Sequence, residues 1–96
     1  MVDKEKFYKT IKQEEELHPN YPWIEDEVWI PRFKALGEDE DDIIEFMDNA
    51  DEYELWGIWP VYEELMSKFP SKKMDKAIDR FLENINKIRK VKFNND

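Results

Sequence analysis

Apolar residues recur along this chain at three- and four-residue spacing, and no stretch alternates strictly between apolar and polar. That period is helical. It is clearest from Met74 through Ile78, Phe81, Ile85 and Ile88, with Ala77 and Leu82 widening the stripe. The stripe predicts one amphipathic helix of about four turns, with Ser71 placed to cap its start. Leu55, Ile58, Trp59, Tyr62, Leu65, Met66 and Phe69 repeat in the same way after a start near Asp51. Pro60 falls inside that repeat and removes a backbone donor, so this helix is expected to kink or split before Phe69-Pro70-Ser71 closes it.

Three further elements precede these. Asp3 is placed to cap a first helix over residues 3–17, with Phe7, Tyr8 and Ile11 on one side and Glu14-Glu15-Glu16 in solvent. Pro19 cannot continue it. Pro22 suits the first turn of a second helix carrying Trp23, Ile24, Val28 and Trp29. Pro31 either kinks that helix or opens a separate turn with Phe33 and Leu36, and Gly37 is a good C-terminal cap. The acidic run from Asp39 to Asp42 starts a third helix, whose apolar face is Ile43, Ile44, Phe46 and Met47, ending near Asn49. Only two glycines occur, and no Asn-Gly or Asp-Gly hairpin signal. The links are short, which favours antiparallel neighbours. The expected fold is all-α: a small antiparallel bundle of four to five helices.

The chain has 96 residues, enough for one domain over 1–96, with 92–96 expected as a frayed tail. Apolar residues are 41% and aromatics 15%, which removes the chain from the disordered class. Cysteine is absent, which excludes a disulfide framework, a thiol nucleophile and a thiolate metal site. The net charge of −9 opposes binding to nucleic acid or to an anionic membrane, and a basic protein is the natural complement. No apolar run approaches the length of a bilayer span, and Met1-Val2-Asp3-Lys4 lacks the apolar stretch of a signal peptide. The expected location is therefore cytoplasmic.

The charge is unevenly distributed. Residues 1–70 hold 20 acidic and 7 basic side chains; residues 71–96 hold 4 acidic and 8 basic. Between Lys34 and Lys68 lie twelve carboxylates and no basic residue. A surface that only needs to stay dissolved usually mixes signs. A single-sign field instead speeds encounter with a cationic partner. The candidate recognition face is Glu38, Asp39, Asp41, Asp42, Glu45, Asp48, Asp51 and Glu52, with Tyr53 or Trp56 as a central anchor. The alternative is a solubilising coat, partly neutralised by the basic last helix, with both aromatics in the core.

Catalytic constellations are hard to assemble. His18 is the single histidine, and Ser67 and Ser71 are the two serines, neither in a nucleophile-elbow sequence. Glu15-Glu16-Leu17-His18 holds one Glu-x-x-His, whereas a di-iron bundle needs two. Asp39-Glu40-Asp41-Asp42 is followed by Ile43 and Ile44 where a calcium loop needs its glycine and further ligands. Lys87-Ile88-Arg89-Lys90-Val91-Lys92 reads most simply as a cationic helix end complementing the macrodipole. The expectation is a chain that is not an enzyme, with no catalytic residues, no cofactor and no metal.

The run Ile43-Ile44-Glu45-Phe46-Met47-Asp48, then Glu54-Leu55-Trp56, Val61-Tyr62-Glu63-Glu64-Leu65, Phe69-Pro70-Ser71 and Met74, resembles small acidic helical immunity proteins. These are encoded beside bacterial polymorphic and contact-dependent growth inhibition toxins. The resemblance covers residues 43–82. The N-terminal third, including Tyr21-Pro22-Trp23 and Trp29-Ile30-Pro31, has no counterpart in it. It implies a protein that is monomeric until it binds one cognate toxin, usually a nuclease, and blocks the active or substrate-binding surface. The competing expectation is a phage-encoded mimic of nucleic acid that inhibits a host DNA- or RNA-binding enzyme.

Overall fold

Four polar side chains start four of the helices. In α1 (Lys4–Glu15) the Asp3 carboxylate accepts from the Lys6 amide at 3.1 Å. In α3 (Glu40–Asp48) Asp39 accepts from the Asp42 amide at 3.1 Å. In α4 (Glu52–Ile58) Asp51 and Glu54 form a reciprocal capping box, both bonds 2.9 Å. In α6 (Lys72–Phe93) the Ser71 hydroxyl accepts from the Met74 amide at 3.1 Å. Each cap satisfies a donor that the helix leaves without a partner, and the acidic caps also complement the positive end of the dipole.

The computed structural model describes residues 1–93 of the chain. Helix α2 (Ile30–Leu36) continues from a π-helical turn, Glu25–Trp29. Pro31 explains that turn. A proline ring clashes with the carbonyl four residues back, and the wider π turn relieves the clash. Accordingly the Ile30 amide reaches back five residues, to the Glu25 carbonyl. Gly37, at φ 89°, ends α2 in a conformation that side chains disfavour. Pro60 acts differently: α4 stops at Ile58, a 3₁₀ turn spans Trp59–Val61, and α5 (Tyr62–Lys68) follows. One proline is absorbed within a helical path and the other divides a helix in two.

Helices α1 and α2 run antiparallel, tied by the Asp3 amide to the Ala35 carbonyl at 2.7 Å. Helices α5 and α6 are joined by Phe69-Pro70-Ser71 and also run antiparallel. Helices α3 and α6 are distant in sequence and lie side by side in the same direction, since Asp41 meets Lys73 and Asp48 meets Arg80. Helix α4 packs on both α1 and α6 and so links the two halves.

The core is the sum of the predicted stripes. Phe7, Leu36, Ile43, Ile58, Leu65, Met74 and Ile85 are wholly buried. Full burial of such a side chain contributes about 1.5–3 kcal/mol. Phe7 meets Phe46 edge-on at 5.1 Å, and Tyr62 packs between Trp59 and Phe81. Tyr8 and Met66, placed on apolar faces by their spacing, are 38% and 42% exposed. Helix α6 reaches Phe93, and the rest of the expected tail, 94–96, lies outside the described residues. Among the described residues no helix is long and apolar enough to cross a membrane.

Candidate acidic interaction surface

Helix α3 carries Asp41, Glu45 and Asp48 at i, i+4 and i+7, which places them along one stripe. Its flank toward α6 is ion-paired. Lys73 Nζ lies 2.6 Å from Asp41 and 3.5 Å from Glu40. Arg80 donates from Nε and Nη2 to the two oxygens of Asp48, each at 3.0 Å. The Asp41 hydrogen bond raises the Lys73 pKa above its ordinary value, and Asp48 does the same for Arg80. Glu40 also accepts from the Ser71 hydroxyl at 2.5 Å, so the α6 cap is itself anchored to α3.

The other acids of the predicted face have varied surroundings. Glu38 reaches Lys68 at 2.7 Å, and Lys68 lies over the Phe33 and Phe69 rings. Asp42 stands 3.2 Å from the chain's first amino group. Asp39 and Asp51 cap helices and remain exposed. Glu52 is exposed. Glu45 is exposed and has no side-chain partner among the described residues. Asp42 and Glu45 border a hollow of about 460 Å³ with Lys4 and Phe46.

Tyr53 and Trp56 line a different hollow from Asp42 and Glu45. They face the C-terminal half of α1, where they border a separate hollow of about 390 Å³ with Glu14, Glu15 and Arg32. The Tyr53 hydroxyl donates to Glu15 at 2.9 Å, and its ring is 45% exposed. Trp56 is half-buried and stands edge-on to Trp59. The fold thus gathers the α3 carboxylates and sets the two aromatics beside α1.

No family model, curated protein or solved structure matches this chain. The reading of its surface therefore rests on its own residues.

The most constrained polar group lies beside that second hollow and was not singled out from the sequence. Arg32 is wholly buried. Its Nε donates to Thr10 Oγ1 at 3.0 Å, its Nη1 to the Gly57 carbonyl at 3.1 Å and its Nη2 to Glu14 at 2.7 Å. One guanidinium thereby fastens α1, α2 and α4. Glu14, expected in solvent, is its counter-ion. The signal was present in the spacing: Val28, Arg32, Ala35 and Leu36 share one buried stripe, with a cation at a core position. Gly57 makes the arrangement possible. A Cβ there would sit 2.5 Å from Ile11 Cδ1 and 2.8 Å from Phe7 Cζ, so the glycine lets α1 approach α4 closely.

One acid of the long run is internal. Glu54 is buried, completes the α4 capping box and accepts from the Tyr8 hydroxyl. That hydrogen bond, aided by partial desolvation, pushes the Tyr8 pKa up to about 12. Elsewhere, His18 Nδ1 accepts from the Asn20 amide at 3.1 Å, a turn contact. Among the described residues, no three His, Asp or Glu side chains converge to hold a metal.

Proposed function

We propose that this chain binds a basic protein and neutralises it by stoichiometric occlusion, as an immunity protein does for a nuclease toxin. The observation that carries this reading is the run of twelve carboxylates without a basic residue, mounted largely on the exposed sides of α3, α4 and α5. The surface pairs within it support the reading too. Exposed ion pairs are weak and screened by salt, so a cationic partner displaces them at small cost. The caps at Asp39 and Asp51 hold the carboxylate-bearing helices in place before binding, which lowers the ordering cost of association. In this mechanism the carboxylates take the places that substrate phosphates occupy on the partner. Electrostatics sets the encounter rate, and short-range contacts set the release rate.

The test uses the chain as bait in lysate of its source cells at low salt. The expected product is a one-to-one complex with one dominant basic protein. The RNA- or DNA-cleaving activity of that protein should fall to background when the chain is added in equal amount. A broad set of nucleic-acid-binding proteins, all released together at moderate salt, would support the mimic instead. A captured protein with unchanged activity would remove both readings.

A further inference from the structure

Four charges of α6 divide between its two neighbours. Lys73 and Arg80 turn toward α3, where they meet Asp41 and Asp48. Asp75 and Asp79 turn toward α5 and border a groove of about 640 Å³ between these antiparallel helices. Glu63 lies on the opposite bank. None of these three carboxylates has an ion-pair or side-chain hydrogen-bond partner among the described residues, and all three are exposed. Lys72 and Lys76 belong to the same helix, and neither stands within ion-pair distance of the aspartates. Apolar side chains line the same groove: Met66, 42% exposed, and half-buried Leu82, with the buried Ile78 beneath them.

We infer that this groove is the docking site for a basic amphipathic helix of the partner protein. The inference rests on the proposed binding of a basic protein and adds the place of its short-range contact. Both banks are α-helices whose backbone groups are bonded internally, so an added β-strand finds no ladder to join. A docked helix needs only side-chain contacts. Its apolar stripe covers Met66 and Leu82, above the buried Ile78, and its flanking lysines or arginines reach Glu63 on one bank and Asp75 and Asp79 on the other. Methionine suits such a floor because its unbranched side chain repacks readily. Helix α5 has 7 residues, so the matching contact is about two turns long, with anchors at i, i+3 or i+4, and i+7. A second copy of this chain is a poor occupant, since each copy carries −9.

The test is an NMR titration of the intact chain with a leucine/lysine amphipathic peptide of about four turns. A peptide of identical composition in scrambled order serves as the control. Shifts should centre on Met66, Ile78 and Leu82, and the amphipathic order should bind at least about tenfold more tightly than the scrambled one. The triple variant Glu63→Gln, Asp75→Asn, Asp79→Asn should weaken it by a similar factor, with the dispersion of its spectrum confirming the fold. Shifts centred on Glu45 and Glu52 would overturn the groove and leave the acidic α3–α4 reading standing. Equal affinity for both peptides would also overturn it. The lysate experiment above judges the broader reading independently of either result.

Discussion

At the scale of single residues, Arg32 carries the largest electrostatic stake in the molecule. A buried guanidinium is tolerable only with its donors matched, and here three different acceptors meet it. Removal of its side chain strands the Gly57 carbonyl, takes the counter-ion from Glu14 and leaves a cavity. Arg32→Ala should therefore lower unfolding stability by about 3–5 kcal/mol, read from urea denaturation. Arg32→Lys keeps the charge and loses the fork, so it should fall between that variant and wild type. Glu14→Gln retains an oxygen acceptor and should cost least. If Arg32→Ala and Glu14→Gln were equally mild, the three-helix clamp would be wrong.

Tyr8 supplies a pH signature of its own. Its native pKa of about 12 lies above the ordinary 10.0, so the native state keeps a proton that the unfolded chain has released. Stability from this group is complete below pH 10 and is lost as pH rises toward 12. In Tyr8→Phe, the alkaline fall in the denaturation midpoint should be shallower across that window. An unchanged slope would show that the Glu54 contact does not hold the proton.

At the scale of elements, sequence and structure agree where the information is local. The stripes beginning at Phe7, Ile43, Leu55 and Met74 are legible because the three- and four-residue spacing that gives a helix one apolar face is a local property of the sequence. The caps at Asp3, Asp39, Asp51 and Ser71 were legible for the same reason. The outcome at each proline was not. A π turn before Pro31 and a 3₁₀ turn at Pro60 are alternative ways to fit a proline ring into a helical path. The parallel alignment of α3 and α6 was equally hidden, because its partners lie 32 residues apart. Gly57 shows how packing overrides propensity. Alanine is better in a helix interior by about 1 kcal/mol, yet its methyl would meet Ile11 and Phe7 inside van der Waals contact. Gly57→Ala should be net destabilising by about 1–3 kcal/mol, measured by thermal or urea unfolding. A stabilised variant would mean that α1 has room to move away from α4.

At the scale of the whole molecule, the acidic run was legible as a count and illegible as a surface. Counting places twelve carboxylates together; folding sends Glu54 inward and lays Lys73 and Arg80 against Asp41 and Asp48. It also turns two acids of the basic last helix toward α5, where no charge average would place them. Tyr53 and Trp56 follow the α3 acids in sequence, and in the fold they border α1 at Glu14 and Glu15. The proposed binding therefore rests on two surfaces, the acidic face of α3 and α4 and the groove beside α5.

If carboxylates of the α3–α4 face draw in a basic partner, they do so by speeding its arrival. The association rate constant of the one-to-one complex would be measured across a salt series, for the wild type and for the triple variant Glu38→Gln, Glu45→Gln, Glu52→Gln. Glu38 and Glu45 neither cap a helix nor pair with α6 in the described ion pairs. The on-rate should fall steeply with salt, the variant should associate about tenfold more slowly at low salt, and the off-rate should be nearly unchanged. An on-rate indifferent to both salt and the three substitutions would contradict it.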